Sequence, residues 1–189
     1  KRRHDSQMEN DAMPQSFKYL VLGFLLFTVS LAGCGYNDLQ GLDEETNAAW
    51  SEVLNQYQRR ADLIPNLVAT VKGYAAHEKD TLEGVTQARS QVAGIKLTPE
   101  ALNNPDIFQK FQEAQQGLTS ALSRLMVVVE KYPDLKANEN FRDLQSQLEG
   151  TENRINVERN RFNEVVKAYN MYIKRFPGRV FAGMFGFNE

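Results

Sequence analysis

The stretch 141–176 constrains this chain more than any other feature. Phe141, Leu144, Leu148, Thr151, Ile155, Arg159, Phe162, Val166, Tyr169, Ile173 and Phe176 step by three or four residues throughout. That spacing lines one face of an α-helix, whereas on a strand it would scatter over both faces. A helix with one apolar stripe must bury it against other elements. Pro177-Gly178 ends the pattern, as a proline followed by glycine does.

The rest of the body offers helices as the partners. From Asp43 onward there is no sustained period-two alternation and no Asn-Gly hairpin, the usual strand signals. Trp50, Val53, Leu54, Tyr57 and Ala61 form a first stripe, opened by Asp43-Glu44-Glu45 where a helix dipole favours acids. Pro65, in "ADLIPNLV", would cost about 3 kcal/mol inside a helix, so a turn or sharp kink is expected over 62–66. A second helix carries Leu67, Val71, Tyr74, Glu78, Leu82, Val85, Arg89 and Val92. Gly94 and "LTPEALNNPD" connect it to a third, 107–131, with a short turn expected at Thr98-Pro99-Glu100. Pro133 closes the third helix by forcing Tyr132 out of the helical region. The expected fold is all-α: an up-and-down four-helix bundle over 43–177, followed by a Gly/Phe-rich tail over 178–189. Helix-mediated coiled-coil association is a second possibility for so long a stripe.

In front of the body stands "MPQSFKYLVLGFLLFTVSLAGC", ending in Cys34, the one cysteine of the chain. Lys18 supplies a basic start, 19–30 an apolar core, and Ala32-Gly33 the small residues before the cysteine. The layout resembles a bacterial lipoprotein signal with Leu31-Ala32-Gly33-Cys34 as its lipobox. The resemblance implies diacylglycerol on the Cys34 sulfur, cleavage before it and acylation of the new amino group. Two or three acyl chains anchor firmly where one is marginal. Residues 1–33 are then signal, with 1–12 upstream of a start at Met13, and 34–42 a tether. The alternative is an uncleaved spanning helix, since Lys18 and Asp38 bracket 19 uncharged residues and roughly 20 suffice. Either way the basic residues precede the apolar run, which sends the body away from the cytoplasm. Gly35 after the cysteine resembles lipoproteins passed on to an outer membrane, so the cell membrane and the outer membrane are both open.

Composition narrows the function. The net charge is −2 over 189 residues, and so balanced a chain argues against a nucleic-acid partner, which needs a basic face. A lone cysteine builds no disulfide framework. Neither His4 nor His77 sits in the Glu-x-x-His pattern of a di-iron bundle. "HEKDT" stops short of H-E-x-x-H, and no C-x-x-C-H attaches a haem. With Cys34 committed to the anchor, no nucleophilic set assembles. No cofactor, metal or catalytic residue is expected, and the chain is not expected to be an enzyme.

Polar residues on the apolar rows are the remaining candidates. Glu152 and Arg159 share one line with Val166 and Ile173, but lie roughly 10 Å apart at 1.5 Å per residue. Each therefore needs a partner from another helix. Arg59, Arg60 and Asp62 near Pro65, and His77-Glu78, are the available groups; Asn163 and Asn170 also repeat at seven. Arg60, Asp62, Glu78, Glu152 and Arg159 are expected to form a structural polar network that fixes helix register, with Arg60 or Asp62 bonded ionically to another helix. The competing reading is a buried ligand or ion site.

Two long blocks carry a family resemblance. "AWSEVLNQYQRRADLIPNLVATVKGYAAHE" covers 49–78, and "KYPDLKANENFRDLQSQLEGTENRINVERNRFNEVVKAYNMYIKRFP" covers 131–177. The body closely resembles the LemA family, with Phe162 standing where that family often has tyrosine. The resemblance implies a membrane-attached helical protein with no established catalytic activity. Two functions follow as expectations: a non-enzymatic scaffold or adaptor with protein partners in the cell envelope, or a sensor or carrier holding an apolar ligand between helices. The tail, with Phe176, Phe181, Met184, Phe185 and Phe187, is either a docked flap or an exposed segment for a partner or bilayer.

Overall fold

The computed structural model describes residues 15–95 and 104–187, and within the first helix the side chains at 16, 19, 20 and from 35 onward. Thr98-Pro99-Glu100 and residues 1–14 lie outside that set. The described residues form six helices: α1 (Gln15–Tyr74), α2 (Lys79–Ala93), α3 (Pro105–Val129), α4 (Pro133–Ala137), α5 (Glu139–Lys174) and α6 (Gly178–Phe185). No strand occurs among them, so the all-α expectation holds. The four-helix count does not describe them. The chain divides into two compact units, one of residues 44–167 and one of both chain ends, through 43 and from 168.

In the 44–167 unit the expected turn at 62–66 is absent. α1 runs through Pro65 to Tyr74, and the chain breaks instead at 75–78. Proline lacks the N–H that would bond the carbonyl four residues back, here that of buried Ala61. Arg89 Nε donates to that carbonyl at 2.9 Å. A side chain from α2 thus replaces the missing backbone donor, and the helix continues. Asp43-Glu44-Glu45 accordingly sit inside α1, not at its start.

The other junctions follow their local chemistry. Asn104 caps α3, its Oδ1 accepting from the backbone N–H of Asp106 at 3.1 Å and Ile107 at 3.3 Å, with Pro105 at the first helical position where no N–H is needed. Pro133 starts α4, whose Leu135 is wholly buried. Asn138 Oδ1 then accepts from the N–H of Phe141 at 3.0 Å, at the start of α5. One core gathers Ile64, Leu67 and Val71 of α1, Leu82 and Val85 of α2, Leu118 and Leu125 of α3, and Phe141 and Leu148 of α5.

In the unit of the chain ends, Leu39 of α1 packs with Tyr169 and Ile173 of α5 and Ala182 of α6. Residues 35–42, expected as a tether, are helical, and Leu39 is fully buried. The stripe read from 141 to 176 ends one turn early. α5 stops at Lys174, so Phe176 falls beyond the helix and is 86% exposed. Gly178 permits the chain to turn back, because any side chain there would run into the Tyr172 carbonyl and ring. Gly35 likewise admits the Phe181 ring, and its carbonyl accepts from the Tyr172 hydroxyl at 2.9 Å. Gly186, at φ 76°, ends α6.

The tail is docked along one side and exposed along the other. Gly178 and Ala182 of α6 are buried, while Val180, Met184 and Phe185 face solvent.

Candidate ligand-binding cavity

Three helices of the 44–167 unit line a cavity of about 460 Å³ that is open to solvent, within the volume range of small-molecule sites. α1 contributes Trp50, Val53, Tyr57 and Arg60; α3 contributes Phe108, Phe111, Gln112, Gln115, Gln116 and Thr119; α5 contributes Glu152, Ile155, Arg159, Phe162 and Asn163. On α1 the steps are three, four and three, one helical face.

Aromatic rings crowd one end. Trp50 meets Phe162, Phe108 and Phe111 at centroid separations of 5.2, 5.8 and 6.2 Å, and Tyr57 stands edge-on to Phe111 at 5.1 Å. Tilted and edge-on pairs suit the ring quadrupoles.

Arg60 holds the other end. It is only 3% exposed, and a buried guanidinium must be paired. Its Nη1 donates to Glu152 Oε2 at 2.6 Å and Thr119 Oγ1 at 3.3 Å, its Nη2 donates to Gln115 Oε1, and its cation sits 5.4 Å from the Tyr57 ring. Glu152 is half-exposed, so the pair lies at the boundary between core and solvent.

The five candidates from the sequence separate here. Arg60 and Glu152 meet in the ion pair, and Arg159 lies at the same cavity on the exposed side. Asp62 is exposed on α1 and accepts from Gln58 Nε2 at 2.8 Å, one turn away. Glu78 stands in the α1–α2 connection and accepts from the Tyr132 hydroxyl at 3.1 Å. Partial burial first, then Glu78's hydrogen bond and charge, hold the Tyr132 phenol above its usual range. The two carboxylates Glu78 and Glu152 therefore do not share a cleft. Among the described residues no three His, Cys, Asp or Glu side chains converge as metal ligands would. Cys34 lies within α1, its side chain outside the described set.

Sequence reasoning missed Gln115 and Thr119. They sit four apart on α3, interrupting a row of Phe111, Leu118 and Leu125. A buried glutamine in an apolar row is a signal of a polar partner across the helix interface.

Comparison with known proteins places these helices within one family. The LemA family model matches residues 49–189. Magnetosome protein MamQ 2 of Paramagnetospirillum magneticum is 28% identical over 185 residues, covering 89% of this chain and 68% of that protein. Protein LemA of Metamycoplasma hominis is 24% identical over 163 residues, covering 81% of this chain and 69% of its own. The match spans the cavity-forming helices and the tail alike, and the chain belongs to the LemA family.

Proposed function

We propose that this chain is a membrane-tethered helical module that works by contact, as a scaffold or adaptor in the cell envelope, without turning over a substrate. Its tether is lipid on Cys34, and its body faces away from the cytoplasm. The supporting observation is where apolar surface is left exposed. Phe176, Val180, Met184 and Phe185 all belong to the unit of the chain ends. That unit also holds Gly35, next to Cys34, against Phe181 of α6. Residues 170–187 carry Lys174, Arg175 and Arg179 and no acid. Cations beside exposed apolar side chains suit the boundary between headgroups and acyl chains. Among the described residues no helix is long and apolar enough to cross a membrane; the side chains of 21–34 lie outside that set.

Labelling cells with radioactive palmitate tests the tether. Wild type takes up label and fractionates with membranes, and Cys34→Ala loses the label. Equal labelling of both chains would remove lipid from Cys34 and leave the spanning alternative.

A second reading, a sensor or carrier, is favoured by one observation, the cavity bounded by Trp50, Arg60 and Phe162. It differs from the first in requiring that a small molecule displace water there.

A further inference from the structure

The last helix of the chain stands where the tether begins. Phe181 of α6 lies against Gly35, and the Phe185 ring meets that of Tyr36 at 4.8 Å. The two phenylalanines are four residues apart, about 6 Å along α6, yet they meet consecutive residues of α1. α6 therefore crosses α1 instead of running beside it, and it does so right after Cys34. This inference rests on the reading of Cys34 as the point where the chain meets the membrane. Gly35 then follows within one Cα step of about 3.8 Å, which puts the crossing helix at the level of the headgroups.

The faces of α6 are divided. Gly178 and Ala182, one turn apart, are buried. Val180 and Met184, one turn apart on the other side, are 49% and 70% exposed. Arg175 and Arg179 are exposed as well, and neither has an ion-pair partner among the described residues. From Gly35 onward the described acids of this unit are Asp38 and Asp43, both on α1 beyond the crossing, away from Cys34. Charge is thus sorted, with cations on α6 and its approach and acids behind it.

That surface suits one occupant. A face of Val180 and Met184 cannot supply the roughly 800 Å² per partner of a stable protein interface, and an arginine buried against apolar groups costs free energy unless it is paired. A bilayer with anionic headgroups meets both conditions, because it buries the apolar side chains while its phosphates pair the guanidinium groups. We propose that α6 is a second attachment point, selective for anionic phospholipid: Arg175 and Arg179 engage headgroup phosphates, and Val180 and Met184 enter the acyl boundary. Acyl chains on Cys34 hold the protein to any bilayer. α6 adds a dependence on lipid charge, about fivefold in surface affinity per cation.

The test uses the full chain with Cys34→Ser, which retains the apolar run over 19–30, in vesicles of three parts phosphatidylcholine to one part phosphatidylglycerol. Val180→Cys, then the one thiol of the chain, carries a fluorophore that brominated acyl chains quench on contact. Bromine is placed on one lipid or the other at constant composition. Per mole of brominated lipid, phosphatidylglycerol is expected to quench about fivefold more than phosphatidylcholine, and molar salt should erase the difference. Arg175→Gln with Arg179→Gln should make the two lipids equal quenchers, whereas Arg175→Lys with Arg179→Lys should keep the preference. Equal quenching in the parent chain, or a preference that survives the glutamine pair, would overturn the selectivity. A chain that floats with the vesicles and is quenched by neither lipid would overturn the contact of α6 with the bilayer while the tether stood. A chain that fails to stay with the vesicles would overturn the membrane reading as well.

Discussion

The two compact units treat apolar surface in opposite ways. In residues 44–167 the large apolar side chains are hidden apart from a few, such as Val127 and Val157, and the buried Arg60 and Gln115 are bonded to each other. In the unit of the chain ends, α6 buries Ala182 but leaves Val180, Met184 and Phe185 in solvent, with Phe176 just before it. One sequence thus builds a region whose stability depends on satisfying charge inside, and another whose exposed surface suits an apolar boundary. The contrast separates folding from attachment, and it can be attacked from either side.

The strongest attack is on the Arg60 cluster. Replacing Glu152 with Ala strands a buried guanidinium. Removing one member of a wholly buried pair costs about 3–5 kcal/mol. Here about 2 kcal/mol is expected, because Gln115 and Thr119 still accept from Arg60 and Glu152 is itself half-exposed. Arg60→Met should cost less, about 1 kcal/mol, since Glu152 can hydrate while the methionine fills the space. Urea unfolding followed by Trp50 emission measures both. An equal or reversed order would show that burial of Arg60 does not control the pair.

The next attack is on the exposed side chains. With Cys34→Ser as background, a single cysteine at 184 or at 157 takes an environment-sensitive fluorophore. In lipid vesicles the label at 184 should brighten and shift to the blue, as burial of one such side chain is worth about 1.5 kcal/mol. The label at 157, equally apolar and exposed but in the other unit, should keep its aqueous spectrum. Identical spectra would erase the difference between the units.

Most of the helical architecture was legible because period 3.6 is a local property. Phe141, Leu148, Ile155 and Ile173 fell on the buried face as their spacing required. Phe176 did not, since its register continues past the point where α5 stops. Pro65 misled for a tertiary reason: the acceptor it abandons is satisfied from α2, far away in sequence. Glu152 and Arg159 were visible as charges on an apolar row, and Arg60 as one of the charges near Pro65 available to pair with them. The Gln115 amide and the Thr119 hydroxyl, which also accept from Arg60, could not be chosen among the polar residues of α3 before the facing helices were known.

Arg89 offers a smaller, sharper test of that tertiary repair. Arg89→Leu should destabilise the 44–167 unit by about 1 kcal/mol, leaving the Ala61 carbonyl without a donor. Pro65→Ala returns a backbone N–H to that carbonyl, so in its background Arg89→Leu should cost much less. A double-mutant cycle on urea midpoints reads the coupling. Additive effects would mean that Arg89 supports α1 through packing alone.

The smallest effect expected within the 44–167 unit is electrostatic and appears only at high pH. Burial and Glu78 raise the Tyr132 phenol above the ordinary tyrosine value of about 10. A phenol raised in the folded state stays protonated there while its unfolded counterpart ionises. Its contribution is therefore complete below about pH 10 and is lost as pH rises from the unfolded toward the folded value. Stability of this unit should fall across that interval, and Tyr132→Phe should flatten the fall while costing the hydrogen bond to Glu78 wherever the phenol is still protonated. The chain ends provide the control. Tyr169 is also raised, by burial first and then by Asp43, so its alkaline loss should persist in Tyr132→Phe. A Trp50-monitored titration unchanged by Tyr132→Phe would disconnect the Glu78 contact from the stability of the helices it joins.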